Sequence, residues 1–184
     1  MKTYIALLRG INVGGKNKIK MEDLKEMLES IGPRKVQTYI QSGNVLFESD
    51  EAEDIIRQTI EKEIEKKFGF FINVVLRSSV EIKETIHNCP FSDEEIRNAE
   101  STNTEGESRY VAFLDRTPDD FEILLKYKQE NEDYKVVGRD IYFLFNNSIR
   151  NSKLINNLHR LGVQATVRNW KTVNKIYELL KNYI

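Results

Sequence analysis

The sequence predicts an α+β fold of two tandem ferredoxin-like subdomains, each with β-α-β-β-α-β order around an antiparallel sheet. Three observations carry that expectation. Short apolar runs with strand character alternate with longer segments of helical period. The six-element order is complete by Leu76. The same order then recurs from Arg109, without obvious identity between the halves. Right-handed crossovers in such a unit place both helices on one face of a four-stranded sheet.

In the first half, Tyr4 to Leu8 is a continuous apolar run ending before Gly10, as a buried strand does. Met21, Leu24, Met27, Leu28 and Ile31 recur at steps of three and four, which gives a helix with one apolar face, stopped by Gly32-Pro33. Lys35 to Gln41 alternates through Val36, Thr38 and Ile40. Ser42-Gly43 is a turn signal, and Val45 to Phe47 is the returning strand. Asp50 to Phe68 is a second amphipathic helix, with Gly69 placed as its C-cap. Phe71 to Leu76 is the closing strand.

In the second half, Arg109 to Leu114 is a strand and Pro118 to Lys128 a helix, with proline early, where its missing N–H costs least. Tyr134 to Val137 and Ile141 to Phe145 flank a Gly138-Arg139-Asp140 turn. Ser152 to Leu161 is a helix stopped at Gly162, Gln164 to Arg168 a short strand, and Lys171 to Tyr183 a terminal helix. The expected organisation is residues 1–78 as one subdomain and 107–184 as the other. A linker over 79–106 joins them, built from a helix at Val80 to His87 and a polar, acidic surface loop at Ser92 to Gly106.

Composition excludes several classes. The chain has 28 Lys plus Arg against 29 Asp plus Glu, and 40% of its residues are hydrophobic. That is neither a disordered chain nor a histone-type polycation. Arg9 interrupts the N-terminal apolar run before it reaches the length of a signal-peptide core, and no segment approaches a membrane span. The single Cys89 forms no internal disulfide, so a reducing, cytoplasmic setting is expected. Two histidines and one cysteine without close ligand spacing give no metal site. Charge is nevertheless segregated. Residues 1–20 carry Lys2, Arg9, Lys16, Lys18 and Lys20 and no acid. Residues 141–184 carry seven basic residues against Glu178 alone, whereas the linker carries seven acids against Lys83 and Arg97. Such asymmetry points to an anionic partner, against the plainer reading of ordinary solvated faces.

Three segments have the ingredients for an anion site. The first runs from Arg9 to Lys18. Its glycines Gly10, Gly14 and Gly15 allow positive φ, successive N–H groups can form a concave nest, Arg9 can grip two oxygens, and Lys16 adds a point charge. Asn12 and Asn17 are its polar neighbours. Gly10 to Lys16 nearly matches the phosphate-loop pattern of nucleotide hydrolases. It fails at Asn17, where a hydroxyl should hold magnesium, and in its strand order. A plain glycine-rich connection is the competing reading. In the second segment, Ser42 and Asn44 flank Gly43 in a turn and offer neutral hydrogen bonds. In the third, Arg168, Asn169, Lys171 and Thr172 stand at the start of the last helix. There Asn169 can cap, and the helix N-terminus favours an anion. Cys89 beside His87 is not evidence for a nucleophile without an orienting base.

The combination of Arg9 to Asn17, Met21 and Leu24, Ser42-Gly43-Asn44, and Thr166 to Thr172 resembles the bacterial family catalogued as domain of unknown function 1697. The resemblance spans nearly the whole chain. It implies two linked ferredoxin-like subdomains and no activity. It also implies that Cys89 is an insertion in an Asn-Pro-Phe motif, which weakens a catalytic role for this thiol. The leading expectation is binding of an anionic small molecule, phosphate-bearing and possible as a nucleotide, or of nucleic acid, where the three segments meet. The alternatives are an enzyme on a phosphorylated or carboxylated metabolite, for which no general base is evident, and a protein-interaction module using a sheet edge. The sequence assigns no cofactor, catalytic residue or oligomeric state.

Overall fold

The computed structural model describes residues 1–183. By packing, the chain divides into two compact units, residues 1–84 with 175–184, and residues 85–174. Each has a four-stranded antiparallel sheet, so the α+β class and the tandem ferredoxin-like arrangement are as the sequence predicts.

The first unit is built from β1 (Lys2–Leu8), α1 (Met21–Ser30), β2 (Arg34–Tyr39), β3 (Asn44–Ser49), α2 (Glu53–Phe68) and β4 (Val74–Ser78). Its sheet order is β2-β3-β1-β4, with Tyr4 opposite Phe47 and Ala6 opposite Val45. Strand side chains alternate between faces. Tyr4, Ala6, Leu8, Val45, Phe47, Val74 and Leu76 therefore share one face, closed by Leu24, Met27 and Leu28 of α1 and Ile56, Ile60 and Ile64 of α2. Ile5, Leu7, Leu46 and Val75 on the other face are also buried. Burial on both faces explains why β1 reads as an unbroken apolar run rather than an alternating one. Gly69 caps α2 in the left-handed conformation at φ 82°, and its N–H bonds Glu65 O. The last strand starts at Val74 instead of Phe71, and Phe71 is exposed. The chain end returns to this unit. The Tyr183 hydroxyl donates to Lys35 O at 2.6 Å, at a bulge where Lys35 has φ 49°. Burial pushes the Tyr183 phenol up to about 12.

The second unit repeats the plan with β5 (Arg109–Leu114), β6 (Glu132–Val137), β7 (Asp140–Phe145) and β8 (Ala165–Asn169), in the order β6-β7-β5-β8. Its core gathers Ala112, Leu114, Ile141, Phe143 and Phe145 under Leu124, Leu154, Leu158 and Leu161. The connecting helices are shorter than expected. Pro118 to Lys128 shrinks to a 3₁₀ segment at Glu122–Tyr127, opened by Asp120 accepting the Glu122 N–H. Ser152 to Leu161 breaks into one α-turn, Lys153–Asn156, between 3₁₀ pieces at Ile149–Asn151 and Leu158–Leu161. Asn157 marks the break. Its amide bonds Lys153 O and its side-chain oxygen accepts from Arg160, so side-chain bonds compete with the helical ladder. Leu154, Leu158 and Leu161 are nevertheless all buried in this core.

The segment between the sheets is more ordered than its composition suggests. After α3 (Ser79–His87), residues Asp93–Thr102 form a helix rather than a surface loop. Ser92 accepts the Glu95 N–H at 3.1 Å and Glu95 accepts the Ser92 N–H at 2.7 Å, a reciprocal capping box. Those bonds also hold the Glu95 carboxyl below its ordinary range. Ser92→Ala is expected to cost about 1 kcal/mol in urea unfolding. Amide exchange should speed up in the first turn of this helix and leave the β5–β7 ladder unchanged.

Candidate functional site

The glycine loop leaves β1 at Leu8 and reaches α1 at Met21, and two apolar anchors tie it to the core. Ile11 and Ile19 are 1% and 2% exposed, while the residues between them stay near the surface. Between the anchors the backbone folds on itself. Asn12 N–H bonds Asn17 O at 3.1 Å, and Lys16 N–H bonds Val13 O at 3.0 Å. Gly14 and Gly15 at the tip have φ 57° and 75°, the positive values a tight two-residue turn needs. The loop is thus a small hairpin, and the Lys16 N–H closes it instead of contributing to an open nest.

Asn12 holds this hairpin in place. At φ 54° its side-chain oxygen accepts the Ile19 N–H at 2.8 Å. Its amide donates to Ile19 O at 2.9 Å and to Gln41 O at 2.8 Å. Asparagine tolerates the left-handed region better than other non-glycine residues. Asn17, at φ 48°, bonds back to Gly10 O at 3.1 Å. Both asparagines therefore shape the loop from inside.

The structure brings the Ser42 turn against this loop, as the sequence suggests. Leu8 N–H bonds Gly43 O at 2.9 Å, and Gly43 N–H bonds Ile40 O at 3.2 Å. Gly43 is at φ 86°, and a Cβ there would stand 2.6 Å from Ile11 Cδ1 and 2.9 Å from Leu8 Cβ. Asn44 is fully buried and donates to Tyr39 O and Ser42 Oγ, so it locks the turn. Ile40, a β-branched residue at φ 50°, is 45% exposed beside it. That conformation is costly for such a side chain.

A groove of about 730 Å³ opens between the loop and the start of α1, with Asn12, Gly15, Lys18, Lys20 and Gln41 on one wall. Ile19, Met21 and Phe68 give it an apolar floor, and Glu22 and Asp23 complete the rim. Lys20, at the N-cap of α1, provides no side-chain cap. The first-turn N–H groups therefore keep their partial positive charge. The Lys67 ammonium donates to Asp23 O at 3.2 Å. Gln41, Ile19, Lys20 and Met21 are groove residues the sequence reading missed. The signal available was Asn12, whose side chain needs partners on both sides.

The third segment belongs to the second unit. Arg168 is 9% exposed and donates to Val167 O at 3.0 Å, and burial pushes its guanidinium down to about 10. Asn169 accepts the Thr172 N–H at 2.8 Å and so caps the last helix, Trp170–Leu180. The Arg109 guanidinium sits 4.8 Å from the Trp170 ring centre, and Tyr142 packs on the same indole. Lys171 is exposed and Thr172 buried. Cys89 is a half-buried free thiol. Among the described residues no three His, Cys, Asp or Glu gather as a metal cluster, and no helix is long and apolar enough to cross a membrane.

The family described as "Protein of unknown function (DUF1697)" matches residues 1–142. The chain belongs to this family. The match contains the whole glycine loop and the Ser42 turn, and stops within β7. A conserved bacterial protein, SP0830 from Streptococcus pneumoniae, has a similar solved structure, with a TM-score of 0.72 at 25% identity. The alignment covers 97% of this chain and 98% of that one, so the likeness takes in both units. No curated protein matches the chain.

Proposed function

We propose that the protein binds a small phosphate-bearing ligand, or another anion on an apolar or aromatic body, in the groove between the glycine loop and α1. The uncapped N-terminus of α1, opening beside Lys18 and Lys20, carries this reading. Helix N-termini attract anions through unpaired N–H groups and the helix dipole. Among the lining residues Lys18 and Lys20 balance the acids Glu22 and Asp23, and the N-terminus of α1 adds partial positive charge. The apolar floor of Ile19, Met21 and Phe68 suits a base or an acyl body attached to the charged group. Lys16 and Arg9 flank the same loop and add positive potential. Ser42 and Asn44 support the site indirectly, by fixing the turn that carries Gln41.

The test is a thermal-shift panel of pyrophosphate, nucleoside mono- to triphosphates and short-chain acyl phosphates, run on the wild type and on Lys18→Ala/Lys20→Ala. Both lysines are exposed, so the double variant should fold. A ligand that raises the wild-type midpoint and leaves the variant unmoved supports the site. Its affinity should also weaken with salt, as for any ion-paired anion. Equal stabilisation of both proteins, or none across the panel, overturns it.

A further inference from the structure

A second cavity is lined entirely by residues of the second unit, none of them from the three anion-site segments. It encloses about 360 Å³ between the end of the Asp93–Thr102 helix, the turn entering β6 and the stretch following β7. Its chemistry is the opposite of the groove in the first unit. Among the described residues Phe145 is its one apolar lining residue, a second carboxylate, Glu105, stands on its wall, and no lysine, arginine or histidine lines it. At its base is a buried carboxylate, Glu132, 5% exposed. Ser152, 3% exposed, donates its hydroxyl to Glu132 Oε2 at 2.8 Å, and the Gln129 N–H donates to Oε1 at 3.1 Å. Each oxygen is thereby oriented and keeps a lone pair for another donor.

Around this carboxylate stand four side-chain amides, Gln129, Asn131, Asn147 and Asn151. Among the described residues none of these amides makes a hydrogen bond within the protein, whereas the neighbouring Asn103 amide is used as a staple to Ser108 Oγ and Asn147 O. A carboxylate without a cationic partner repels anions. Amides offer a donor and an acceptor side by side, which matches a hydroxyl that also does both. The cavity is far larger than one ion requires and lies in the usual size range of small-molecule sites.

We propose that this cavity binds a neutral polyhydroxylated molecule, a free sugar or the sugar portion of a larger compound. Glu132 would accept from one hydroxyl and the idle amides would bracket its neighbours. The Phe145 ring is engaged with Phe143 and Tyr110 in the core, so no aromatic platform adds stacking and the binding is weak.

The experiment is a ¹⁵N titration of the full chain with glucose, N-acetylglucosamine, ribose and trehalose, following the side-chain amide signals of Gln129, Asn131, Asn147 and Asn151. Saturable shifts confined to these signals and to the Glu132 backbone are expected for at least one sugar. Asn131→Ala/Asn147→Ala changes only exposed side chains and should weaken that binding about tenfold or more. Lys18→Ala/Lys20→Ala should leave it unchanged. Absence of saturable shifts with all four sugars overturns the proposal. So does a response at these residues to calcium or methylammonium in place of sugars, which would make Glu132 a cation ligand.

Discussion

Gly43→Ala is expected to destabilise the first unit by about 3 kcal/mol, whereas Gly14→Ala in the adjacent loop should cost only about 1 kcal/mol. Both glycines have positive φ, at 86° and 57°. Any L-residue in that region costs on the order of 1–2 kcal/mol. The two differ in what a Cβ meets. At Gly14 there is open space, while at Gly43 the new methyl would stand 2.6 Å from Ile11 Cδ1 and 2.9 Å from Leu8 Cβ. Neither neighbour yields easily. Ile11 is 1% exposed, Leu8 is fully buried in the first core, and the Leu8 N–H is bonded to Gly43 O. Overpacking of this kind adds roughly 1–3 kcal/mol. Urea unfolding of both variants checks the contrast, and equal losses would show that contact at Ile11 is not what requires glycine here. The glycine in Ser42-Gly43-Asn44 is thus a packing requirement between two loops as well as a turn residue.

The fold was legible wherever burial set a clear period. β1, α1 and β5 are read correctly because Tyr4 to Leu8, Met21 to Ile31 and Arg109 to Leu114 each commit their apolar residues to a core. The Asp93–Thr102 helix was missed because it buries Ala99 and little else, so its apolar period is faint. Its only strong signal is local, the Ser92 to Glu95 spacing of a capping box. The 3₁₀ segments of the second unit show the opposite error. Leu154, Leu158 and Leu161 advertise a helix, and Asn157 interrupts it through side-chain bonds that periodicity does not register. At the candidate site the residue types were legible and their jobs were not. Asn12, Asn17 and Asn44 look like ligand donors in a sequence, but their amides are engaged with backbone oxygens. The groove is instead lined by neighbours such as Gln41 and Lys20, whose placement depends on how the hairpin folds back.

Asn12→Ala should be the most damaging change in the glycine loop, costing about 2–4 kcal/mol in unfolding and lowering affinity for any anion held in the groove. Alanine removes the acceptor for the Ile19 N–H and the donor to Ile19 O and Gln41 O. Ile19 is 2% exposed, so water does not readily replace the lost bonds. A buried backbone group left without a partner costs roughly 1–3 kcal/mol. The backbone at φ 54° adds its own strain for alanine. Two further variants separate these contributions. Asn12→Gly relieves the φ strain and still lacks the clip, so it should recover about 1 kcal/mol relative to alanine. Asn12→Asp keeps the acceptor for the Ile19 N–H but sets a carboxylate against two carbonyl oxygens. It should protect that amide from exchange better than alanine does while still releasing Gln41. Exchange at the Ile19 N–H reads the first bond directly. If that amide stays as protected in Asn12→Ala as in the wild type, the loop does not depend on the asparagine, and its coupling to the Gln41 wall is carried by Ile11 against Gly43 and by the Leu8 N–H bonded to Gly43 O.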